Sequence, residues 1–128
     1  MQPLNEELVK IYIEKSKTAL KSAEINIKNN LLETALNRIY YAVFYIVMAL
    51  GYKYDFKTSK HSKLMGWFNK KFIHEDKIFS NEIYRTYESA FLYRHKSDYD
   101  AVYVPNIEKT ISLLADAKIF VDTVSKEI

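Results

Sequence analysis

The sequence contains no cysteine and very little glycine or proline, with two residues of each among 128. Without cysteine, the chain can form no disulfide and offers no thiolate to a metal, which fits a reducing compartment. Glycine and proline are the residues that most often interrupt helices, so their scarcity leaves few breaks in the chain. We therefore predict an all-α protein that forms one domain over residues 1–128, large enough for a core of its own.

Further absences limit where the protein acts and what it recognises. The first ten residues, MQPLNEELVK, lack the apolar core of an export signal, so we expect a cytoplasmic protein. No apolar run has the length that a bilayer requires, so we expect no membrane association. The net charge is only +3, and only three of the nineteen basic residues are arginine, which argues against dedicated base recognition.

The segment from Leu31 to Gly51, LLETALNRIYYAVFYIVMALG, is apolar or aromatic at every position from Ile39 to Leu50. As a helix it is apolar on all sides, which predicts a central helix surrounded by the rest of the chain. Its polar groups then need partners inside the fold, because buried polar groups are rarely unpaired. Those groups are the side chains of Asn37 and Arg38 and the hydroxyls of Tyr40, Tyr41 and Tyr45.

Amphipathic patterns predict helices on both sides of this segment. Asn5 has the features of an N-cap for the first helix, and Asn29-Asn30 interrupts the pattern before the central helix. Because this connection is short, the first two helices should form an antiparallel hairpin. Thr58 or Ser59 is expected to cap a short third helix, and Ser80 the long helix that follows.

The last helix is predicted to begin at Pro105, since proline is tolerated in the first turn. Its apolar residues alternate in steps of three and four, a pattern typical of bundle packing: Ile107, Ile111, Leu114, Ala117, Val121, Val124 and Ile128. The chain as a whole predicts an up-and-down four-helix bundle with an extra short helix. Its apolar surface exceeds what the bundle needs to cover, which predicts a homodimer.

Arg94 lies at helical spacing from Ile83, Tyr87 and Ala90, so a charged side chain falls on the apolar face of its helix. An unpaired buried charge is costly, so Arg94 must meet a carboxylate, tyrosine hydroxyls or a bound anion. Two interpretations remain open. Arg94 either forms a structural ion pair with a nearby carboxylate such as Asp98, or it binds a phosphate.

A second polar face lies on the central helix, where Arg38, Tyr41 and Tyr45 are separated by steps of three and four residues. Tyrosine suits an interface that is half apolar and half wet. We predict that this face meets Arg94.

The three histidines do not suggest a metal site. His61 fits best as a surface or capping residue, and a ligand role ranks well behind that. His74 and His95 have no metal-like spacing with a second ligand, so we expect no metal and no other cofactor.

Three motifs occur in order along the chain: ALNRIYYAVF at 35–44, Lys60-His61-Ser62, and R-x-x-x-D-Y at 94–99. Together they resemble the HEPN domain, and more narrowly the small stand-alone HEPN proteins of bacteria and archaea. The resemblance covers nearly the whole chain. It implies a four-helix bundle that usually dimerises and is often paired with a minimal nucleotidyltransferase in toxin–antitoxin or defence modules. In many HEPN proteins an R-x4–6-H motif cuts RNA without metal.

This chain departs from the cleaving motif. The positions where the histidine would fall hold Tyr99, Asp100 and Ala101. RNA cleavage needs a base, an acid and a cation for the phosphorane charge. Tyr99 is not a natural base near neutral pH, because the pKa of an unperturbed tyrosine is about 10. We therefore expect the protein alone to cut RNA poorly or not at all.

Two other histidines are candidates to replace the one that the motif lacks. His95 follows Arg94 directly and should point away from it on a helix. His61 reaches the site if the link after Gly51 folds back over the bundle.

Three functional hypotheses follow. The protein is the partner of a nucleotidyltransferase and binds nucleotide or RNA phosphate near Arg94, with Tyr99 or the Arg94 site bound, blocked or modified. Alternatively, it is a metal-independent ribonuclease toxin with a non-standard histidine, or a non-catalytic binding or scaffolding dimer. The candidate catalytic residues are Arg94, Asp98 and Tyr99, and the candidate binding residues are Arg38, Tyr41, His61 and His95.

Overall fold

A computed structural model describes residues 3–128. These residues form five α-helices and no strand: α1 (Pro3–Lys28), α2 (Leu32–Lys53), α3 (His61–Phe68), α4 (Asn81–Tyr99) and α5 (Ile107–Ser125). The chain continues from α3 into a π-helical segment, Asn69–Glu75. The prediction of an all-α bundle with an extra short helix is confirmed.

The second helix is the centre of the bundle, as its apolar sequence predicts. It packs against α1, α4, α5 and α3, whereas α1 and α4 do not pack along each other within residues 3–128. Among the described helices, α2 alone is long and apolar enough to cross a membrane, which the sequence had not led us to expect. However, 72% of its apolar window is buried inside the fold, as in a core helix.

The first helix begins earlier than predicted, and the assignment of Asn5 as its N-cap is wrong. Asn5 lies within α1, is buried, and donates from Nδ2 to Asp55 Oδ1 over 3.2 Å. This partner lies 50 residues along the chain, so local pattern could not reveal it. The break at Asn29-Asn30 is confirmed, and Asn30 takes a left-handed φ of 57° that asparagine tolerates.

Gly51 allows the chain to leave α2 and fold back along it. The Phe56 N–H donates to Gly51 O over 2.8 Å, and a Cβ at Gly51 would lie 2.7 Å from Phe56 O. A larger residue would therefore push the link away from α2. The Phe56 ring stacks on Trp67 with centroids 4.8 Å apart, which holds the link against α3. As a result, α3 begins at His61 beside the middle of α2.

The two predicted helix caps in the middle of the chain have different outcomes. Ser80 caps α4, since its hydroxyl accepts from Ile83 N–H over 3.3 Å. Neither Thr58 nor Ser59 caps α3, whose N-cap is Lys60. Thr58 instead accepts from Lys60 N–H over 3.1 Å, a local turn that competes with capping.

The start and the phase of α5 also differ from the prediction. Asn106 is the N-cap, so Pro105 lies before the helix rather than in its first turn. Ile107 and Ile111 are 45% and 51% exposed, because the buried face runs through other residues. Thr110 joins that face since its hydroxyl is satisfied by Asn106 O at 2.7 Å. The buried residues are Thr110, Leu113, Leu114, Ala117, Phe120, Val121 and Val124.

Candidate functional site

Arg94 lies near the C-terminal end of α4 with a largely buried side chain, 18% exposed. Its Nε is 2.7 Å from Asp98 Oδ2, an ion pair between successive turns. The Nε–H is not directed at that oxygen and finds no other acceptor among the described residues. Asp98 therefore balances the charge of Arg94 and covers its buried Nε, which leaves the two Nη groups as the donors open to a ligand.

Two tyrosine rings of α2 lie beside the Arg94 guanidinium. Its Cζ is 5.3 Å from the ring centroid of Tyr40 and 5.5 Å from that of Tyr41. At such distances cation–π attraction contributes about 0.5–2 kcal/mol, depending on how far water is excluded. The rings thus hold the guanidinium in place without using its donors.

A second guanidinium, that of Arg38, also lies over the Tyr41 ring, with its Cζ 5.2 Å from the ring centroid. Arg38 also donates from Nε and Nη2 to Asn37 Oδ1 over 3.0 and 2.7 Å. Tyr41 therefore connects the two arginines that the sequence predicted to be close.

His61 joins these residues from the start of α3. Its imidazole stacks on Phe44 with centroids 4.0 Å apart and meets the Tyr41 ring edge-on at 5.9 Å. Its Nδ1 lies 2.7 Å from the Tyr40 hydroxyl. The sequence made this approach conditional on the link after Gly51 folding back over the bundle, and the link does so.

The environment of His61 and Tyr40 sets where their protons lie. Burial lowers the pKa of His61 below its ordinary value, and the charge of Arg94 lowers it further, so the imidazole is neutral near pH 7. Burial raises the pKa of Tyr40, which keeps the phenol protonated. The Tyr40 O–H has no other acceptor among residues 3–128, so we assign it as the donor to Nδ1. The ring proton of His61 then lies on Nε2.

His95 and Tyr99 lie on the exposed side of α4. The His95 ring packs against Phe91 and Tyr99, with centroids 5.7 and 4.8 Å away. Tyr99 is 71% exposed. This row of rings approaches the Arg94 cluster through Phe91, whose centroid is 6.0 Å from that of Tyr40.

The structure thus brings five of the seven predicted residues into one cluster and leaves His95 and Tyr99 beside it. We use the term Arg94 site for Arg94, Asp98, Tyr40, Tyr41 and His61, with Arg38 at its edge. The functional roles of these residues stay predictions.

Sequence analysis required a partner for the Tyr40 hydroxyl but did not include Tyr40 among the candidate site residues. A hydroxyl in the middle of an apolar run must find a polar partner on another element. That signal was present in the sequence, but nothing local identified His61 as the partner, because the pairing depends on how the link after Gly51 folds.

Comparison with known proteins agrees with these motifs and this fold. The family model described as "HEPN domain" matches residues 9–128. The chain belongs to the HEPN family. The resemblance noted in the sequence is therefore confirmed, and HEPN membership accounts for the helical bundle around α2.

Three relatives of this HEPN protein align over most of their length. A "UPF0332 protein" of Thermotoga maritima is 31% identical over 123 residues, covering 96% of this chain and 92% of that protein. Two proteins of Methanocaldococcus jannaschii named "Putative toxin" are 32% and 31% identical. Their alignments cover 94% and 95% of this chain, and 80% and 90% of the relatives.

The HEPN fold also locates the departure from the R-x4–6-H motif. Tyr99 ends α4, Asp100 is its C-cap, and Ala101 lies in the following turn. The segment that follows Arg94 in this HEPN chain therefore supplies no histidine at those positions. The imidazole that contacts the Arg94 site comes from α3 instead.

Proposed function

We propose that this HEPN protein binds a phosphate group of RNA or of a nucleotide at the Arg94 site. We further propose that it does so as the partner of a minimal nucleotidyltransferase in a toxin–antitoxin or defence module. The observation that carries the binding site is the guanidinium of Arg94, whose two Nη groups form no hydrogen bond among the described residues although its side chain is largely buried. These donors can be satisfied by a ligand, and phosphate oxygens match the geometry of a guanidinium.

The neighbouring groups suit the same ligand. His61, in the assigned tautomer, offers Nε2–H as a further donor beside Arg94. Asp98 is the one carboxylate in the site and opposes an anion. Two variants that break the same ion pair should therefore have opposite effects on binding, which separates a phosphate site from a purely structural pair.

The test compares the affinities of wild type, Arg94→Gln and Asp98→Asn for AMP and for a mixed-sequence RNA octamer, measured by isothermal titration calorimetry. We expect Arg94→Gln to weaken binding roughly 10- to 100-fold, as loss of a charged hydrogen bond does. We expect Asp98→Asn to strengthen it. Thermal unfolding of both variants is the control. If both variants lose the same amount of stability and bind the ligands as wild type does, the Arg94–Asp98 ion pair has only a structural role.

A second candidate is a metal-independent ribonuclease toxin, favoured by the position of His61. In the other tautomer of His61, Nδ1–H donates to the Tyr40 oxygen and Nε2 is free, which provides a base for a 2′-hydroxyl next to a cation for the phosphorane. Two relatives carry the name "Putative toxin". Its test is RNA cleavage that depends on His61. If binding occurs without cleavage, the third hypothesis, a non-catalytic binding or scaffolding dimer, gains support.

The nucleotidyltransferase partner comes from the resemblance to stand-alone HEPN proteins, and the exposure of Tyr99 supports it. A phenol that is 71% exposed at the end of α4 is open to binding, blocking or modification by another protein. Transfer of a nucleotide from a nucleoside triphosphate to the Tyr99 oxygen would replace the phenolic proton with a nucleoside monophosphate and release pyrophosphate. Co-expression with a nucleotidyltransferase encoded beside this gene, followed by intact-mass measurement of wild type and Tyr99→Phe, tests both the pairing and the site.

We also propose that the protein forms a homodimer. Exposed apolar side chains on α4 support this proposal: Phe91 is 36% exposed and Leu92 46%. Sedimentation at about tens of micromolar, a range that detects weak dimers, should give a dimer for wild type and a monomer for Leu92→Arg. A wild-type monomer would contradict the proposal.

A further inference from the structure

A groove of about 570 Å³ runs between α1 and α2. Its charged and aromatic lining includes Lys10, Glu14 and Lys15 from α1, with Arg38 and Tyr45 from α2. We call this surface the α1–α2 groove. It adjoins the Arg94 site at Arg38, and its α1 residues lie outside the family motifs.

The α1–α2 groove is positively charged, and its cations are not neutralised within the fold. The one carboxylate among the described residues of the lining, Glu14, forms an exposed ion pair with Lys17, whose Nζ lies 3.8 Å from Glu14 Oε1. Lys17 itself is not part of the groove lining. Among the ion pairs of residues 3–128, none uses Lys10, Lys15 or Arg38. Three free cations around a concave surface attract a polyanion.

Tyr45 of the groove lining belongs to a row of half-buried tyrosines that continues to Tyr12 and Tyr41 beside the groove. The Tyr41 and Tyr45 centroids are 5.5 Å apart, and those of Tyr45 and Tyr12 are 5.9 Å apart. Lys15 Nζ lies 5.5 Å from the centroids of both Tyr12 and Tyr45. Alternating rings and cations are the features with which proteins hold single-stranded nucleic acid, because bases stack while phosphates pair with the cations.

The groove is continuous with the Arg94 site through Tyr41. The guanidinium carbons of Arg38 and Arg94 lie 5.2 and 5.5 Å from the centroid of the same Tyr41 ring. A phosphate at Arg94 and the next phosphates along a strand can therefore be held by one surface that crosses α2.

We propose that the α1–α2 groove binds the nucleotides that adjoin the phosphate at Arg94, so that the ligand is single-stranded RNA rather than a mononucleotide. The proposal rests on the proposed function and names its substrate class. From Lys10 to Ser22 the groove spans roughly 18 Å of helix, enough for about five stacked nucleotides. A second copy of this chain fits less well, because it would bury three unpaired cations at a high desolvation cost.

The experiment measures binding of AMP and of mixed-sequence RNA of two, four and eight nucleotides by competition against a labelled octamer. The proteins are wild type, Lys15→Gln, Arg38→Gln and Arg94→Gln. Lys109→Gln is the matched control, because it removes the same charge from an exposed site on α5 that is not part of the groove. A DNA octamer forms a further arm.

We expect affinity to rise from AMP to the octamer in wild type, with RNA bound more tightly than DNA. Lys15→Gln and Arg38→Gln should each weaken octamer binding about 3- to 10-fold, and Lys15→Gln should leave AMP binding unchanged. Each should also lower the salt dependence, by roughly 0.7 in the log–log slope for every phosphate contact that is lost. Arg94→Gln should weaken both ligands.

Two outcomes would contradict the proposal for the α1–α2 groove and leave the Arg94 site standing. One is an affinity that does not depend on the length of the RNA, and the other is that Lys15→Gln and Arg38→Gln bind RNA as Lys109→Gln does. A shift in oligomeric state caused by Lys15→Gln or Arg38→Gln would assign the groove to a second copy. Tighter binding of DNA than RNA would contradict the substrate class. If wild type binds neither AMP nor any oligonucleotide, the phosphate site at Arg94 fails together with the groove.

Discussion

The hydroxyl of Tyr40 and Nδ1 of His61 lie 2.7 Å apart and join the middle of α2 to the first residue of α3. Tyr40 is 1% exposed, so its hydroxyl depends on His61 for a partner. An unpaired buried hydroxyl would cost about 1–3 kcal/mol. This hydrogen bond therefore contributes both to the position of α3 and to the proton state of the imidazole beside Arg94.

Replacement of Tyr40 by phenylalanine should lower the free energy of unfolding by about 0.5–1.5 kcal/mol, because it removes a buried hydrogen bond. Tyr87 provides the matched control. It is equally buried, but its hydroxyl has no partner among the described residues, so Tyr87→Phe should be neutral or stabilising. Urea unfolding measures both. Equal destabilisation by the two variants would contradict the importance of the Tyr40–His61 bond.

Tyr40→Phe should also remove the preference of His61 for a single tautomer. With no phenol donating to Nδ1, the ring proton can occupy either nitrogen. Nitrogen-15 NMR of the imidazole at pH 7.5 should show a single Nε2–H form in wild type and a mixture in Tyr40→Phe. A mixture already present in wild type would mean that the hydrogen bond does not set the tautomer.

Stability should fall on mild acidification because of His61. Its pKa is lowered in the fold, so between that value and about 6.5 the unfolded chain binds more protons. The stabilisation is complete above about 6.5 and is lost as the pH falls toward the folded-state pKa. Urea unfolding at pH 7.5 and 5.0 should show a smaller difference in His61→Gln than in wild type.

The sequence was sufficient for the helices because they depend on local pattern. The apolar run from Ile39 to Leu50 predicted a central helix, and Ser80 predicted the start of α4. Where the prediction was wrong, a polar side chain had found another partner. Asn5 bonds to the distant Asp55 instead of capping α1, and Thr110 joins the buried face of α5 because its hydroxyl bonds to Asn106 O.

The site was predictable in part. Helical spacing placed Arg94 on an inward face, and steps of three and four on α2 placed Arg38 and Tyr41 together. The approach of His61 was not predictable, since it depends on the path of the link after Gly51. The charge of the α1–α2 groove was hidden for the same reason, because it combines side chains from two helices.

Gly51 should be intolerant of alanine, and Gly66 should not. A Cβ at Gly51 would lie 2.7 Å from the backbone oxygen of Phe56, which has no side-chain freedom to move away. We expect a loss of about 1–3 kcal/mol, as for other overpacked sites, and a shift of the His61 NMR signals as the link moves. A Cβ at Gly66 meets nothing within 4 Å. Gly66→Ala should therefore stabilise α3 by about 0.5–1 kcal/mol. Similar effects of the two variants would contradict this account of the link.

The protein alone should cut RNA slowly, and the cleavage that occurs should require His61 rather than His95. At the Arg94 site, Arg94 can stabilise the phosphorane, and His61 can take the 2′-hydroxyl proton on Nε2 in the minor tautomer, whose Nδ1–H donates to Tyr40. The Tyr40 phenol is a poor acid for the leaving oxygen, because burial raises its pKa. Lack of one general acid–base group costs about two to four orders of magnitude in rate.

A metal-free assay on mixed-sequence RNA, with EDTA present, compares wild type with His61→Ala and His95→Ala. We expect His61→Ala to remove the slow wild-type activity and His95→Ala to retain it, because His95 packs against Phe91 and Tyr99 on the exposed side of α4. Arg94→Gln should lose activity together with RNA binding. Rapid cleavage that survives His61→Ala and is lost in His95→Ala would move the catalytic centre to that exposed face.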